Sequence, residues 1–388
     1  MTTVPAPVRE RADACPGALQ THSAADGELA RVRVPGGVLT AAQLRVLAAA
    51  ARELGDGSLE LTSRGNLQLR GLTPGTQGQL GVRLADAGLL PSDTHERARN
   101  IVASTLSGRT DGGHLDVRPW VAAFDAAMCA DPDLAGLPGR FLLTLDDGRG
   151  DVAGLGGDVG LLALDERTVA LTLVGVDSGL RTDPAGAVGL ALAATRAFLA
   201  ERAAQGSSAW RLGELADGPA RVAARFGTPG PDRVAVPAAA PLAPVGAASQ
   251  LDGRTALLAM TRLGRLSADQ ADLLARLAPE VQVTPWRTVV VPDLAEDTVD
   301  DAAVDLYRTG LVFDEASPWT LVTACAGRPG CAKSLADVRA DVTGAIAAGR
   351  LPVAGRQHWA GCERRCGRPH GEVVDVVATP TGYLIEKD

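Results

Sequence analysis

A chain of 388 residues can hold two or three domains and a sizeable core. A net charge of −8 argues against a general nucleic-acid binder, and no apolar run reaches the roughly 18 residues of a membrane span. The opening "MTTVPAPVRERADACPG" has no apolar leader, so a cytoplasmic setting that keeps thiols reduced is expected. There, clustered cysteines are more often metal ligands than disulfides.

After a tail over residues 1–18, the first informative stretch is "RVRVPGGVLTAAQLRVLAAAARELGDGSLELTSRGNLQLRGL" (31–72). It predicts a strand, a turn, a helix begun by Thr40, then a second strand. Leu44, Leu47 and Ala51 give that helix its apolar face. "LADAGLL" (84–90) predicts the end of a second helix, which closes a ferredoxin-like half over 19–92. An α/β domain follows over 93–233. In it, "DDGRGDVAGLGGDVGLLAL" (146–164) has only a superficial dinucleotide fingerprint. Gly154, Gly156 and Gly157 forbid the helix such a site needs, so a glycine-rich hairpin between "RFLLTL" and "VGLLAL" is expected instead. Cys129 lies on a predicted helix of this domain and reads as a small buried side chain.

The Pro/Ala-rich "VAVPAAAPLAPVGAA" (234–248) reads as a linker. Beyond it the pattern returns. "ALLAMTRLGRLSADQADLLARLAPEVQVTPWRTVVVPDL" (256–294) repeats strand, turn, helix begun by Ser267, and strand. Leu273, Leu274 and Leu277 give this helix its apolar spacing. Thr62 matches Thr284, Leu84 matches Leu306 and Gly88 matches Gly310 at a constant offset. "LYRTGLV" (306–312) ends the second ferredoxin-like half, 249–314. "VASTLSGR" (102–109) and "VTACAGR" (322–328) then match, so 315–388 is a second α/β domain. In the second copy alone a thiol, Cys325, enters this stretch.

That last domain carries the chemistry. "ACAGRPGCAKS" (324–334) and "GCERRCGRPHG" (361–371) place Cys325, Cys331, Cys362 and Cys366 as Cys-x5-Cys and Cys-x3-Cys. Structural zinc prefers closer pairs that converge on one ion. A [4Fe–4S] cubane is wider and accepts thiolates from looser loops. Gly327, Gly330, Gly361 and Gly367 let backbone N–H groups approach the sulfurs. The pattern favours the cubane, with zinc and uncoordinated thiols as the alternatives.

The duplicated chain and this cysteine pattern resemble the sulfite/nitrite reductase superfamily. "LTSRGNLQLRGL" (61–72) is similar to its Thr-x-Arg-x-x-x-Gln strand, and "RARNIVAS" (97–104) to its Arg-Asn-Ile/Val segment; both line a tetrapyrrole pocket in that family. The resemblance implies an α/β (α+β) fold. Two pseudo-twofold halves are expected, each a ferredoxin-like half unit followed by a sulfite-reductase-type α/β catalytic unit. It also implies a tetrapyrrole against the cluster. Arg64, Asn66, Gln68, Arg97, Arg99 and Asn100 become candidates for the tetrapyrrole clamp, with Arg109, Arg140, Arg328 and Lys333 behind them. Arg70 and Arg83 read as solvated surface charges.

Within the superfamily, "ACPGAL", "ACAGRPGCA" and "HWAGCERRCGRP" (358–369) are similar to the oxygen-dependent synthases of aerobic cobalamin formation. Anion-reducing members carry a Lys-x-Lys pair where "LPGRFLLTL" (137–145) has Arg140 and Leu142. Membership of the synthase group implies precorrin-3A and O2 as substrates, hydroxylation at C20 and γ-lactone formation. It implies a ferredoxin or an NAD(P)H-linked reductase as electron donor. A mononuclear non-haem iron is also described for the group, but no ligand motif for it stands here. Of His22, His95, His114, His358 and His370, the last two flank the cluster loop and read as hydrogen-bond partners. The alternative is a siroheme-dependent sulfite or nitrite reductase, with Cys366 bridging cluster and haem.

Overall fold

The computed structural model describes residues 13, 15–228, 230–238, 244–369 and 371–387. They gather into two compact units. Of the described residues, one unit holds those before Ala18 together with 33–37 and 90–238; the other holds 18–32, 38–89 and those from 244 onward.

The chain begins with β1 (His22–Ala24), β2 (Gly27–Val32), β3 (Val38–Thr40), α1 (Ala41–Leu54), β4 (Ser58–Leu61), β5 (Leu67–Leu72) and α2 (Gln77–Asp86). Next come β6 (Ile101–Ala103), α3 (Arg118–Ala130), β7 (Leu143–Asp146), β8 (Val159–Ala163), β9 (Val169–Leu173), β10 (Val176–Thr182), α4 (Ala187–Ala204) and α5 (Gly218–Ala224). The second ferredoxin-like half is β11 (Gly246–Ser249), β12 (Thr255–Met260), β13 (Arg265–Ser267), α6 (Ala268–Leu277), β14 (Glu280–Val283), β15 (Thr288–Leu294) and α7 (Glu296–Arg308). The chain closes with β16 (Val322–Ala324), α8 (Val338–Ala347), β17 (Gln357–Ala360), β18 (Val374–Thr379) and β19 (Gly382–Glu386). The same course is run twice, and β11 begins inside the Pro/Ala-rich stretch.

Thr40 and Ser267 do more than cap. Each accepts the N–H of the residue three on, while Gln43 or Gln270 reaches back to the cap's own N–H. These reciprocal capping boxes fix both helix starts. The residues just before them form short strands that cross over. β3 pairs with β14, and β13 pairs with β4. The two ferredoxin-like sheets therefore run β1-β2-β5-β4-β13 and β11-β12-β15-β14-β3. Each half completes the other's sheet edge, which removes an exposed edge from both.

In the first unit, β10-β9-β8-β7-β6 form one sheet whose members β6, β7 and β8 are parallel. Its core holds Phe124, Phe198 and Phe141, the last two stacked at 5.0 Å. The expected glycine-rich hairpin is corrected here: β7 and β8 are parallel. Asp146 explains the path between them. Its carboxylate accepts the N–H groups of Gly148, Gly150, Val152 and Ala153, which curls the loop and lets the chain return to the start of the next strand. A 3-10 turn, Ala153–Leu155, forms there.

The fourth sheet, β16-β17-β18-β19, repeats this plan with three parallel strands first. Val338 and Val342 of α8 pack on Val322, Ala324, Trp359 and Val376. Strand alternation sends Thr323, His358 and Asp375, adjacent in register, to the opposite face.

Candidate metal centre

The four cysteines leave the carboxyl ends of two neighbouring parallel strands, where open α/β sheets place their ligands. Cys325 directly follows β16, and its N–H continues the ladder to the Trp359 carbonyl at 3.0 Å. Cys362 stands two residues beyond β17. Cys331 and Cys366 lie in the turns that follow. The Cys366 thiol is pushed up by burial, then by the nearby thiols of Cys325, Cys362 and Cys331, with Arg364 opposing. Cys366 thus stands within electrostatic reach of the other three thiols. Among the described residues, no three His, Cys, Asp or Glu side chains converge tightly enough to hold a single ion.

The backbone is shaped to the sulfurs. Gly361 donates its N–H to Cys325 Sγ at 3.2 Å. A side chain there is excluded, because a Cβ would stand 1.8 Å from Ser334 Oγ. Arg328 Nε holds the Ser334 carbonyl at 2.8 Å, and Ser334 Oγ donates to the Ala336 carbonyl at 2.7 Å. The second loop is tied to the sheet by Arg365 and Arg368, which both reach the buried carboxylate of Asp375 at 3.2 and 2.9 Å. Arg287 donates to the Gly367 carbonyl at 3.1 Å.

His358 is fully buried and shares a 2.9 Å hydrogen bond between Nδ1 and Thr323 Oγ1. Burial, and after it the charge of Arg287, pushes its pKa down to about 3, so the ring is neutral. His370 lies outside the described residues.

The clamp candidates divide between the units. Arg64, Asn66 and Gln68 belong to the unit with the cysteines; Arg97, Arg99 and Asn100 belong to the other. Arg64 is half-buried and sits in the turn between β4 and β5 rather than on a strand, because Thr62 closes that turn on Gly65 and Asn66. Asn66 is buried within the same turn. Gln68 accepts from Arg31 Nε at 3.1 Å and donates to Glu60 at 3.3 Å. Arg97 is half-buried, with Nη1 on the Asp13 carbonyl at 3.0 Å. Arg99 is buried in a bidentate pair with Asp125, 2.7 Å for both contacts. Asn100 donates to the carbonyls of Gly139 and Phe141 at 2.6 and 3.1 Å. Arg99 and Asn100 therefore hold their own segment in place.

Arg70 requires a correction. It is buried at 7% exposure, not solvated, because Asp26 meets its guanidinium with two contacts. Arg83, paired with Glu53 at 2.6 Å, keeps a surface role. Beside Arg70 the sheet carries a polar row, Arg31, Gln68, Glu60 and Arg265, in register across four strands. Arg339 of α8 meets Glu60 at 2.6 Å. The equivalent row of the second sheet is Leu258, Val290, Gln282 and Val38. Alternation along "NLQLRG" already put Asn66, Gln68 and Arg70 on one face, and that signal could have marked Arg70.

Comparisons with known proteins agree with this architecture. Residues 22–84 match the nitrite/sulfite reductase ferredoxin-like half domain. A solved structure, the Mycobacterium tuberculosis NirA protein, superposes with a TM-score of 0.75 over 98% of this chain and 77% of its own, at 21% identity. A Mycobacterium tuberculosis sulfite reductase [ferredoxin] is 25% identical over 80% of this chain and 60% of its own length. In its fold, its repeated course and these matches the chain is similar to the sulfite/nitrite reductase superfamily of oxidoreductases. It is also similar to a precorrin-3B synthase from Sinorhizobium sp, 26% identical over 96% of this chain and 82% of that protein. Among the described residues, no helix is long and apolar enough to cross a membrane.

Proposed function

We propose that this chain is an oxygen-dependent precorrin-3B synthase with a [4Fe–4S] cluster on Cys325, Cys331, Cys362 and Cys366. The observation that carries the reading is the placement of four cysteines in the loops that leave the carboxyl ends of β16 and β17, where the Cys366 thiol is pushed up by burial and then by the other three. It stands in a chain similar to such a synthase along nearly its whole length. The loose Cys-x5-Cys and Cys-x3-Cys spacing suits a wide centre better than a tetrahedral zinc.

When bound, the cluster supplies single electrons, which O2 chemistry on a closed-shell macrocycle requires. The chain's own residues do the rest. The Gly361 N–H withdraws charge from the Cys325 sulfur and so tunes the centre. Precorrin-3A carries many carboxylates, and half-buried Arg64, in the unit that carries the cysteines, is the arginine we assign to them. Asn66 and Gln68 keep its segment in shape, and Arg99 and Asn100 do the same for the segment of Arg97. Neutral His358 offers no proton near pH 7. One atom of O2 becomes the C20 hydroxyl, the γ-lactone closes on ring A, and the other atom leaves as water. Two electrons come from a donor of the ferredoxin or NAD(P)H-reductase class. The mononuclear iron described for the synthases finds no ligand set among the described residues, and no step is assigned to it.

The test is anaerobic incubation with precorrin-3A, followed by isotopically labelled O2 and mass analysis. One labelled oxygen in a lactone product supports the reading. A protein that shows isobacteriochlorin bands and reduces sulfite or nitrite would instead be a siroheme reductase.

A further inference from the structure

We propose that Arg70 is a positioning residue for the metal centre: it grips the Gly330 backbone and thereby fixes the thiol of Cys331. The inference rests on reading the four cysteines as cluster ligands. Arg70 stands on β5 and spends Nε and Nη2 on Asp26 at 3.1 and 3.0 Å. Nη2 also donates to the Gly330 carbonyl at 2.7 Å, across 260 residues of sequence. Glu60 adds a second carboxylate 3.9 Å from Nε. With two carboxylates at hand, the guanidinium does not need the Gly330 carbonyl to offset its buried charge. What that contact adds is geometry: the peptide next to a ligand is bound to a rigid strand.

The loop side is built to match. Gly330 is buried, and a Cβ there would stand 2.9 Å from Arg70 Nη2 and 3.0 Å from Asp26 Oδ2. The second ferredoxin-like copy drops the device. Gly71 and Asp293 mark the same left-handed position in β5 and β15, with φ of 64° and 62°. The residue before each is Arg70 in one copy and Pro292 in the other. Proline carries no side-chain donor. Position and charge are separable here, since lysine keeps the charge but lacks the fork that spans Asp26 and Gly330.

The experiment uses the full chain purified anaerobically as wild type, R70M, R70K and G330A. It measures iron and acid-labile sulfide, the rate of iron loss to a chelator, and the electron paramagnetic resonance signal of the reduced protein. R70M and G330A are expected to release iron about 10-fold faster or more and to show an altered signal. R70K should lie between R70M and wild type. Folded R70M and G330A with wild-type release rates and signals would overturn the proposal. Should R70M not fold, R70K and G330A decide it by the same readouts. A wild type without sulfide sinks the cluster reading itself, and the role of Arg70 falls with it.

Discussion

The two α/β domains set different side chains in one backbone frame. Ser104 follows β6 as Cys325 follows β16, and each donates its N–H at 3.0 Å to the neighbouring strand, at Leu145 and Trp359. The Asp147 N–H reaches Ser104 Oγ at 3.1 Å where the Gly361 N–H reaches Cys325 Sγ at 3.2 Å. In the second domain, thiols gather at this position. In the first, a hydroxyl and carboxylates fill it: Asp151 takes the Ser104 hydroxyl at 2.7 Å and the Thr105 N–H at 2.9 Å. The hydrogen-bond frame is the same in both domains while the donor atoms differ, sulfur in one and oxygen in the other.

The largest effect expected from this contrast is on metal content. Cys325→Ser and Cys362→Ser should abolish iron and sulfide, because an alcohol is a poor ligand for the centre. Ser104→Ala at the equivalent position should leave both at wild-type levels. Full iron in either cysteine variant, read by metal analysis, removes that residue from the ligand set.

A second contrast lies among the arginines. Arg99→Leu strips the partner from a mostly buried Asp125, so denaturant unfolding should show a loss of about 3–5 kcal/mol. Arg64→Leu should leave stability and cluster near wild type. It should weaken tetrapyrrole binding by about 1.5–3 kcal/mol, the worth of a charge-assisted hydrogen bond, in an equilibrium titration. If Arg99→Leu lowers affinity without lowering stability, the division of roles between the two is wrong.

Much of this was legible in the residues themselves. Apolar spacing, cap residues and a constant offset revealed the repeated course of the ferredoxin-like halves, and the paired cysteines marked the candidate centre. Strand exchange was not legible, because three-residue strands such as β3 and β13 carry no period of their own. The path from β7 to β8 was missed for a different reason. It depends on one buried carboxylate, Asp146, that collects four N–H groups, and glycine content alone says only that the chain turns. Arg70 was misread because its partners, Asp26 and Gly330, lie 44 and 260 residues away.

The smallest effect concerns pH. Burial, the largest influence, raises the pKa of Asp151 to about 6; the Ser104 hydroxyl pulls it down and Asp146 pushes it up. A carboxyl with a raised folded pKa binds its proton more tightly in the folded state. Its contribution is therefore most favourable near pH 4 and is lost as pH rises to about 6. The difference in thermal midpoint between wild type and Asp151→Asn should change across that window and stay flat above it. A difference that is constant from pH 4 to 7 would place the titration elsewhere.

The central claim is that the second copy, and not the first, holds a wide iron–sulfur centre. Quantifying iron, zinc and acid-labile sulfide in anaerobically purified protein tests it most directly. The expected result is about four irons and four sulfides per chain, lost together in Cys362→Ser and retained in Ser104→Ala. One zinc per chain with no sulfide would contradict it.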